Sequence, residues 1–228
     1  MASGNDDETK GGAPASSPCM LHELGPDGRP QVDPEQARDV ARWRKVERER
    51  LLGVRSALTE AYRDEQTRAL VQSIEQILAT MSIRALGVYW PSRSEPDLRP
   101  WMDACSKRGV RLALPVATAL GQPLSYREWH PNARLARGLW NIPFPADGAE
   151  TLPNIVIAPL VGFDSACYRL GYGGGFFDRT LAALSPRPLA IGVGYPCASL
   201  PTIYPQPHDV PMDWILSGAS MPLRRMTG

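Results

Sequence analysis

The densest run of chemically useful residues is GFDSACYRLGYGGGFFDR, positions 162–179. Gly171, Gly173, Gly174 and Gly175 free the backbone to turn successive N–H groups toward one point, just before a helix expected near Asp178. A loop of this kind at a helix N-terminus cradles an anion and suits phosphate. It matches neither G-x-x-x-x-G-K-[ST] nor a clean G-x-G-x-x-G, so the two common nucleotide loops do not apply. A glycine-rich surface turn has the same composition, and the loop alone does not separate the two.

Asp178 and Asp209 are candidate magnesium ligands. Magnesium on a nucleotide usually takes one or two protein carboxylates and fills its shell from phosphate and water. Two aspartates on separate loops meet that need. Asp178 equally suits a helix first turn for its charge alone, and Asp209 and Asp213 suit ordinary turns. His208 reads as an exposed loop residue. Upstream, Arg44, Arg48 and Arg55 fall at i, i+4 and i+11. At ~100° per helical residue they lie within about 40° of one another and form one positive stripe. Such a stripe reaches a triphosphate or stays solvated against Glu47, Glu49 and Glu60, and we read Arg55 as solvated. In YWPSRSEPDL, positions 89–98, Glu95 follows a strand and can accept two hydrogen bonds from a flat, amidine-like ring edge, or simply cap the next helix. Ser94 and Asp97 read as its capping pair, with Pro96 in the first turn. Trp129 and Trp140 offer walls for a planar ligand, or core packing.

These residues need a scaffold. Of 228 residues, 43% are hydrophobic and 21% charged, ordinary for one globular domain. No apolar run reaches the ~18–20 residues of a membrane span, and the polar start MASGNDDETKGG is no export signal. The net charge of +1 provides no global field for nucleic acid or anionic membrane. Four scattered cysteines, Cys19, Cys105, Cys167 and Cys197, argue against zinc sites and disulfide frameworks and suit a reducing cytosol. Residues 1–34 read as a disordered tail and 35–220 as the domain. Asp33 caps a first helix opened by Pro34 and running to about 58, and a second is expected over 64–81. Short apolar runs at 85–90, 111–116, 155–161 and 189–195, with helices over 97–106 and 178–184 between some of them, predict a three-layer α/β/α domain with a mostly parallel sheet. In such sheets ligands bind beyond the carboxyl ends of the strands, where the glycine-rich and acidic segments fall.

RLGYGGGFFD (169–178), preceded by PLVGFD (159–164) and followed by His208-Asp209-x-x-x-Asp213, resembles the 5-formyltetrahydrofolate cyclo-ligase (5,10-methenyltetrahydrofolate synthetase) family. The resemblance extends upstream through NIPFP (141–145), YREW (126–129) and 89–95 to the arginine-rich helix, and covers about residues 40–216 in one order. It implies an enzyme that cyclises 5-formyltetrahydrofolate to 5,10-methenyltetrahydrofolate with ATP and Mg2+, releasing ADP and phosphate. In the family's scheme the formyl oxygen attacks the γ-phosphate, N10 of the folate then adds, and phosphate leaves. Such chemistry asks mainly for positioning and charge neutralisation, and no nucleophilic side chain is assigned. The resemblance places ATP on Arg44, Arg48, Arg169, Leu170, Gly171, Tyr172, Gly173, Gly174, Gly175, Phe176 and Phe177. It places the folate on Trp90 and Glu95 and on the middle of the loop from Tyr172 to Phe176, and the metal on Asp178 and Asp209.

Three positions depart from the family pattern. Arg44 replaces a usual Lys, keeping charge but not shape. Phe177 replaces a usual Tyr, so one hydroxyl near the reacting groups is missing. Cys167 stands where a small turn residue, often Gly, is common. These departures leave room for a paralogue that binds folate or nucleotide without turnover, or acts on another formylated or carboxylate substrate. A monomer or weak homo-oligomer is expected, with no nucleic-acid or membrane partner.

Overall fold

The apolar runs become neighbouring strands of a seven-stranded sheet. The computed structural model describes residues 33–226 together with 23–24 and 30–31. The tail expected over 1–34 therefore lies almost wholly outside the described residues. Within it, Glu23–Leu24 pairs antiparallel with Pro30–Gln31.

In chain order the sheet contains β1 (Leu86–Gly87), β2 (Leu112–Val116), β3 (Ser125–Trp129), β4 (Ile155–Pro159), β5 (Leu189–Gly194), β6 (Trp214–Ser217) and β7 (Leu223–Arg224). Their spatial order is β7-β6-β5-β4-β1-β2-β3. The five inner strands are parallel, with Leu86 opposite both Ile155 and Leu112, and Ile191 opposite both Ile157 and Trp214. The edge strands β3 and β7 are antiparallel. β7 lies past residue 220, where the domain was expected to end. The chain winds outward one way from β1 and the other way from β4. The β1/β4 gap is thus the switch point at which open α/β sheets bind ligands.

Both faces are covered, which is why β4 and β5 read as unbroken apolar runs. Ile155 and Ile157 pack under helices α2 (Glu60–Leu78) and α3 (Arg99–Lys107) with Leu70, Ile74 and Met102. Val156 and Ala158 face the other way, in the clusters beneath α4 (Phe176–Ala183), whose Leu181 joins Ala158. The first helix, α1 (Pro34–Ser56), takes neither face. Its Leu51 packs on Val161, Leu170, Leu200 and Ile203, all in segments that follow β4 and β5, so it crosses the carboxyl ends of the strands.

Of three expected helix starts, one holds and two move for local reasons. Asp33 caps α1 as expected, accepting from the Glu35 N–H at 2.9 Å. Thr59 caps α2 by accepting from Tyr62 N–H, so that helix spans 60–78 rather than 64–81. The expected Ser94/Asp97 cap does not form. Ser94 takes φ 59°, Asp97 accepts from the Arg99 N–H and guanidinium, and α3 starts at Arg99 with Pro100 in its first turn. Among the described residues no helix is long and apolar enough to cross a membrane.

Candidate functional site

Beyond β4 the chain runs through Leu160 and Val161 into a tight antiparallel pair, Gly162–Phe163 against Arg169–Leu170. Asp164 closes that turn. It is 3% exposed and accepts from the N–H groups of Ala166, Tyr168 and Ile203, each at 3.1 Å. Cys167 lies inside the turn at φ 65°, a left-handed conformation that glycine adopts without strain.

The loop 171–175 then crosses the mouth of the switch point. Gly173 (φ 95°) and Gly175 (φ 62°) supply the left-handed turns. Gly175 is the N-cap of α4, and no side chain caps that helix. Its leading N–H groups and dipole therefore favour an anion.

Arginines from three directions converge on this loop. Arg48 of α1 donates from Nε to the Gly171 carbonyl at 2.7 Å. Burial and the adjacent Arg44 charge pull its pKa down, and the Asp209 carboxylate offsets part of that. Arg44, 8% exposed, donates to the carbonyls of Ile203 (2.9 Å) and Tyr204 (2.8 Å) and holds Asp209 with both terminal nitrogens, at 3.2 and 2.5 Å. Arg169 donates to Asp178 Oδ2 at 2.8 Å and lies over the Phe177 ring. Arg179 reaches back to the Gly174 carbonyl. The buried Nε atoms of Arg55, Arg169 and Arg179 have no hydrogen-bond partner among the described residues.

Asp178 and Asp209 are brought together, because Asp178 Oδ1 accepts from the N–H of Val210, the residue after Asp209. Each carboxylate is engaged by an arginine, and no cluster of three or more metal-ligating side chains exists among the described residues. A two-carboxylate donor set suits an ion that takes its other ligands from phosphate and water. His208 is exposed, as expected, and Asp213 accepts from the Ala190 N–H and Arg187, a structural role.

Glu95 faces the same loop from the segment between β1 and α3. It is 6% exposed, and its carboxylate accepts from the Tyr172 hydroxyl at 2.5 Å and from the Ser92 N–H at 2.8 Å. Burial pushes its pKa up, while those two bonds and the charge of Arg55 hold it back. A polar cavity of about 320 Å³ opens beside it, edged by Arg63, Arg93, Arg99 and Tyr195.

The structure thus joins Arg44, Arg48, Glu95, the 169–177 loop, Asp178 and Asp209. Trp90 sits differently, edge-on to Trp129 at 6.3 Å beneath Arg99 and packed on the α2/α3 cluster. Trp140 is 59% exposed and stands edge-on to Phe176 at 5.3 Å, a free aromatic wall over the loop. The reading of Arg55 as solvated is corrected. It is 4% exposed and donates to the Leu160 carbonyl and the Tyr172 hydroxyl, while Glu47 pairs with Arg50 instead. The stripe faces the strand ends because α1 crosses them. Arg179 was also missed; its place one turn beyond Gly175 was the available signal.

The model of the 5-formyltetrahydrofolate cyclo-ligase family matches residues 40–218. A 5-formyltetrahydrofolate cyclo-ligase of Mycolicibacterium smegmatis is 32% identical over 175 residues, covering 73% of this chain and 89% of that protein. The Escherichia coli protein of the same name is 26% identical over 170 residues, covering 72% and 93%. The solved structure of Aquifex aeolicus 5,10-methenyltetrahydrofolate synthetase superposes with a TM-score of 0.70 at 25% identity, covering 81% of this chain and 94% of that one.

Proposed function

The chain belongs to the 5-formyltetrahydrofolate cyclo-ligase family, and from that premise we propose that it couples ATP to closure of 5-formyltetrahydrofolate into 5,10-methenyltetrahydrofolate, releasing ADP and phosphate. One relationship supports this reading most. The anion cradle and the buried acceptor Glu95 are joined through Tyr172, so a triphosphate and a flat ring bound at the two would meet over the same glycines.

In this reading the loop N–H groups, Arg48 and Arg169 take the phosphates, with Arg44 behind them. Glu95 accepts from the ring edge of the pterin, and Trp140 shields its face. Asp178 and Asp209 would hold Mg2+, which neutralises phosphate charge when bound. The formyl oxygen attacks the γ-phosphorus as ADP leaves. N10 then adds to the activated carbon, its proton passes to the departing phosphate, and the C–O bond breaks to free phosphate. The residues contribute orientation and charge rather than a covalent partner. The three cysteines among the described residues are free thiols, and we place the reaction in a reducing cytosol.

The test is near-ultraviolet absorbance of the methenyl product, with purified protein, 5-formyltetrahydrofolate, ATP and magnesium. Product that requires all three supports the reading. A folded protein that binds ATP yet forms no product overturns it in favour of a paralogue.

A further inference from the structure

Arg55 is a buried cation without a carboxylate of its own. At 4% exposure it donates to a carbonyl, Leu160 O at 3.2 Å, and to a neutral hydroxyl, Tyr172 at 2.5 Å, and its Nε is unpaired among the described residues. No direct ion pair with it is formed among the described residues. Burying a guanidinium is costly unless an anion compensates it. The anion is one hydrogen bond further on, since the Tyr172 hydroxyl that accepts from Arg55 donates to Glu95 Oε1 at 2.5 Å.

We propose that Arg55 is a positioning residue for substrate binding: through Tyr172 it holds Glu95 as an oriented anion facing the glycine loop. This rests on the reading that Glu95 takes the ring edge of the folate. Ser92 fixes the other carboxylate oxygen, through its N–H at 2.8 Å and its hydroxyl at 3.3 Å, so the two sides of the carboxylate are held from different elements. Other charged groups nearby are spent or solvated. Arg93 lies over Tyr172 but is exposed, Arg99 is paired to Asp97, and Arg63 of α2 donates to the Leu58 carbonyl. Of the two buried tyrosines alongside, Tyr89 gives its proton to the Pro96 carbonyl and Tyr195 is linked to Thr67. Arg55 is left as the buried cation that balances Glu95, whose ionised form burial alone disfavours.

The test is steady-state kinetics on the full chain for wild type, Arg55→Met, Arg55→Lys, Tyr172→Phe, Glu95→Gln and the Arg55→Met/Glu95→Gln pair. Losing support for a charged acceptor weakens ring binding in ground and transition states alike, so Arg55→Met should raise KM for 5-formyltetrahydrofolate about tenfold with kcat and KM for ATP little changed. Arg55→Lys, which keeps the charge, should recover most of the loss. The pair should be no worse than Glu95→Gln alone. Should Arg55→Met fail to fold, Tyr172→Phe carries the test, because it cuts the link and leaves the charge in place; it should raise the folate KM by a similar factor. An unchanged folate KM, a rise in the ATP KM instead, or an additive loss in the pair overturns the proposal. If Glu95→Gln itself binds folate like wild type, the reading of Glu95 fails first, which separates the two failures.

Discussion

Arg44 on α1 and Asp209 in the turn after Tyr204 form a two-pronged ion pair, with side chains only 10% and 9% exposed. A proposed phosphate ligand thus neutralises a proposed metal ligand. The arrangement stores both near the site without leaving either charge bare.

That pairing has a cost for mutants. Removing one partner from a buried pair costs about 3–5 kcal/mol, whereas replacing both by apolar residues is often close to neutral. Asp209→Ala should abolish ATP turnover and also lower Tm markedly. Arg44→Met/Asp209→Leu should regain much of the Tm and none of the turnover. Thermal denaturation beside product absorbance checks this, and recovery of activity in the double mutant would refute the site assignment.

Gly175 should tolerate no side chain. Its φ is 62°, and an added Cβ would lie 2.8 Å from the Arg179 guanidinium. Gly175→Ala should cost about 1 kcal/mol or more in stability. It should also raise KM for ATP. Calorimetric titration with ATP analogues measures this directly.

Phe177 packs beneath Arg169 and against the Tyr126 cluster, so its position carries a ring but no hydroxyl. A single hydrogen bond to a charged group is worth about 1.5–3 kcal/mol, which sets the ceiling for Phe177→Tyr. For a working enzyme the substitution should raise kcat by no more than about a hundredfold. Activity that appears only in the Tyr variant would identify the natural chain as a binding protein.

How much of this was readable beforehand depends on which interaction decides each element. β4 and β5 are apolar on both faces, so composition alone marks them. β3, by contrast, is an edge strand whose Arg127 and Glu128 interrupt the apolar pattern, and β6 is four residues after a proline-rich stretch; both are defined by neighbours rather than by periodicity. The glycine loop was legible because its backbone conformation demands its residue types. Arg55 was not. Helical spacing puts it on the stripe with Arg44 and Arg48, but only the crossing of α1 over the strand ends decides whether that stripe meets water or Tyr172. Glu95 was found as an acceptor, while its tie to the loop 77 positions away needed the fold.

Glu95 also predicts a pH dependence. Burial raises its pKa above the ordinary carboxylate value of about 4.3. For an acid raised on folding, the protonated form is favoured in the native state. Its contribution to stability is therefore full below the unfolded pKa and is lost as pH rises through the native one. Function runs the opposite way, since only the carboxylate accepts two donors from a ring edge. Substrate affinity should fall as pH drops through the raised pKa, while the fold is, if anything, better tolerated there. KM for 5-formyltetrahydrofolate measured from neutral pH down should rise in wild type above the ordinary carboxylate range. In Glu95→Gln, which cannot titrate, that limb should flatten at a uniformly higher KM. A limb of the same shape in both proteins would assign the titration to the substrate and remove Glu95 from the binding step.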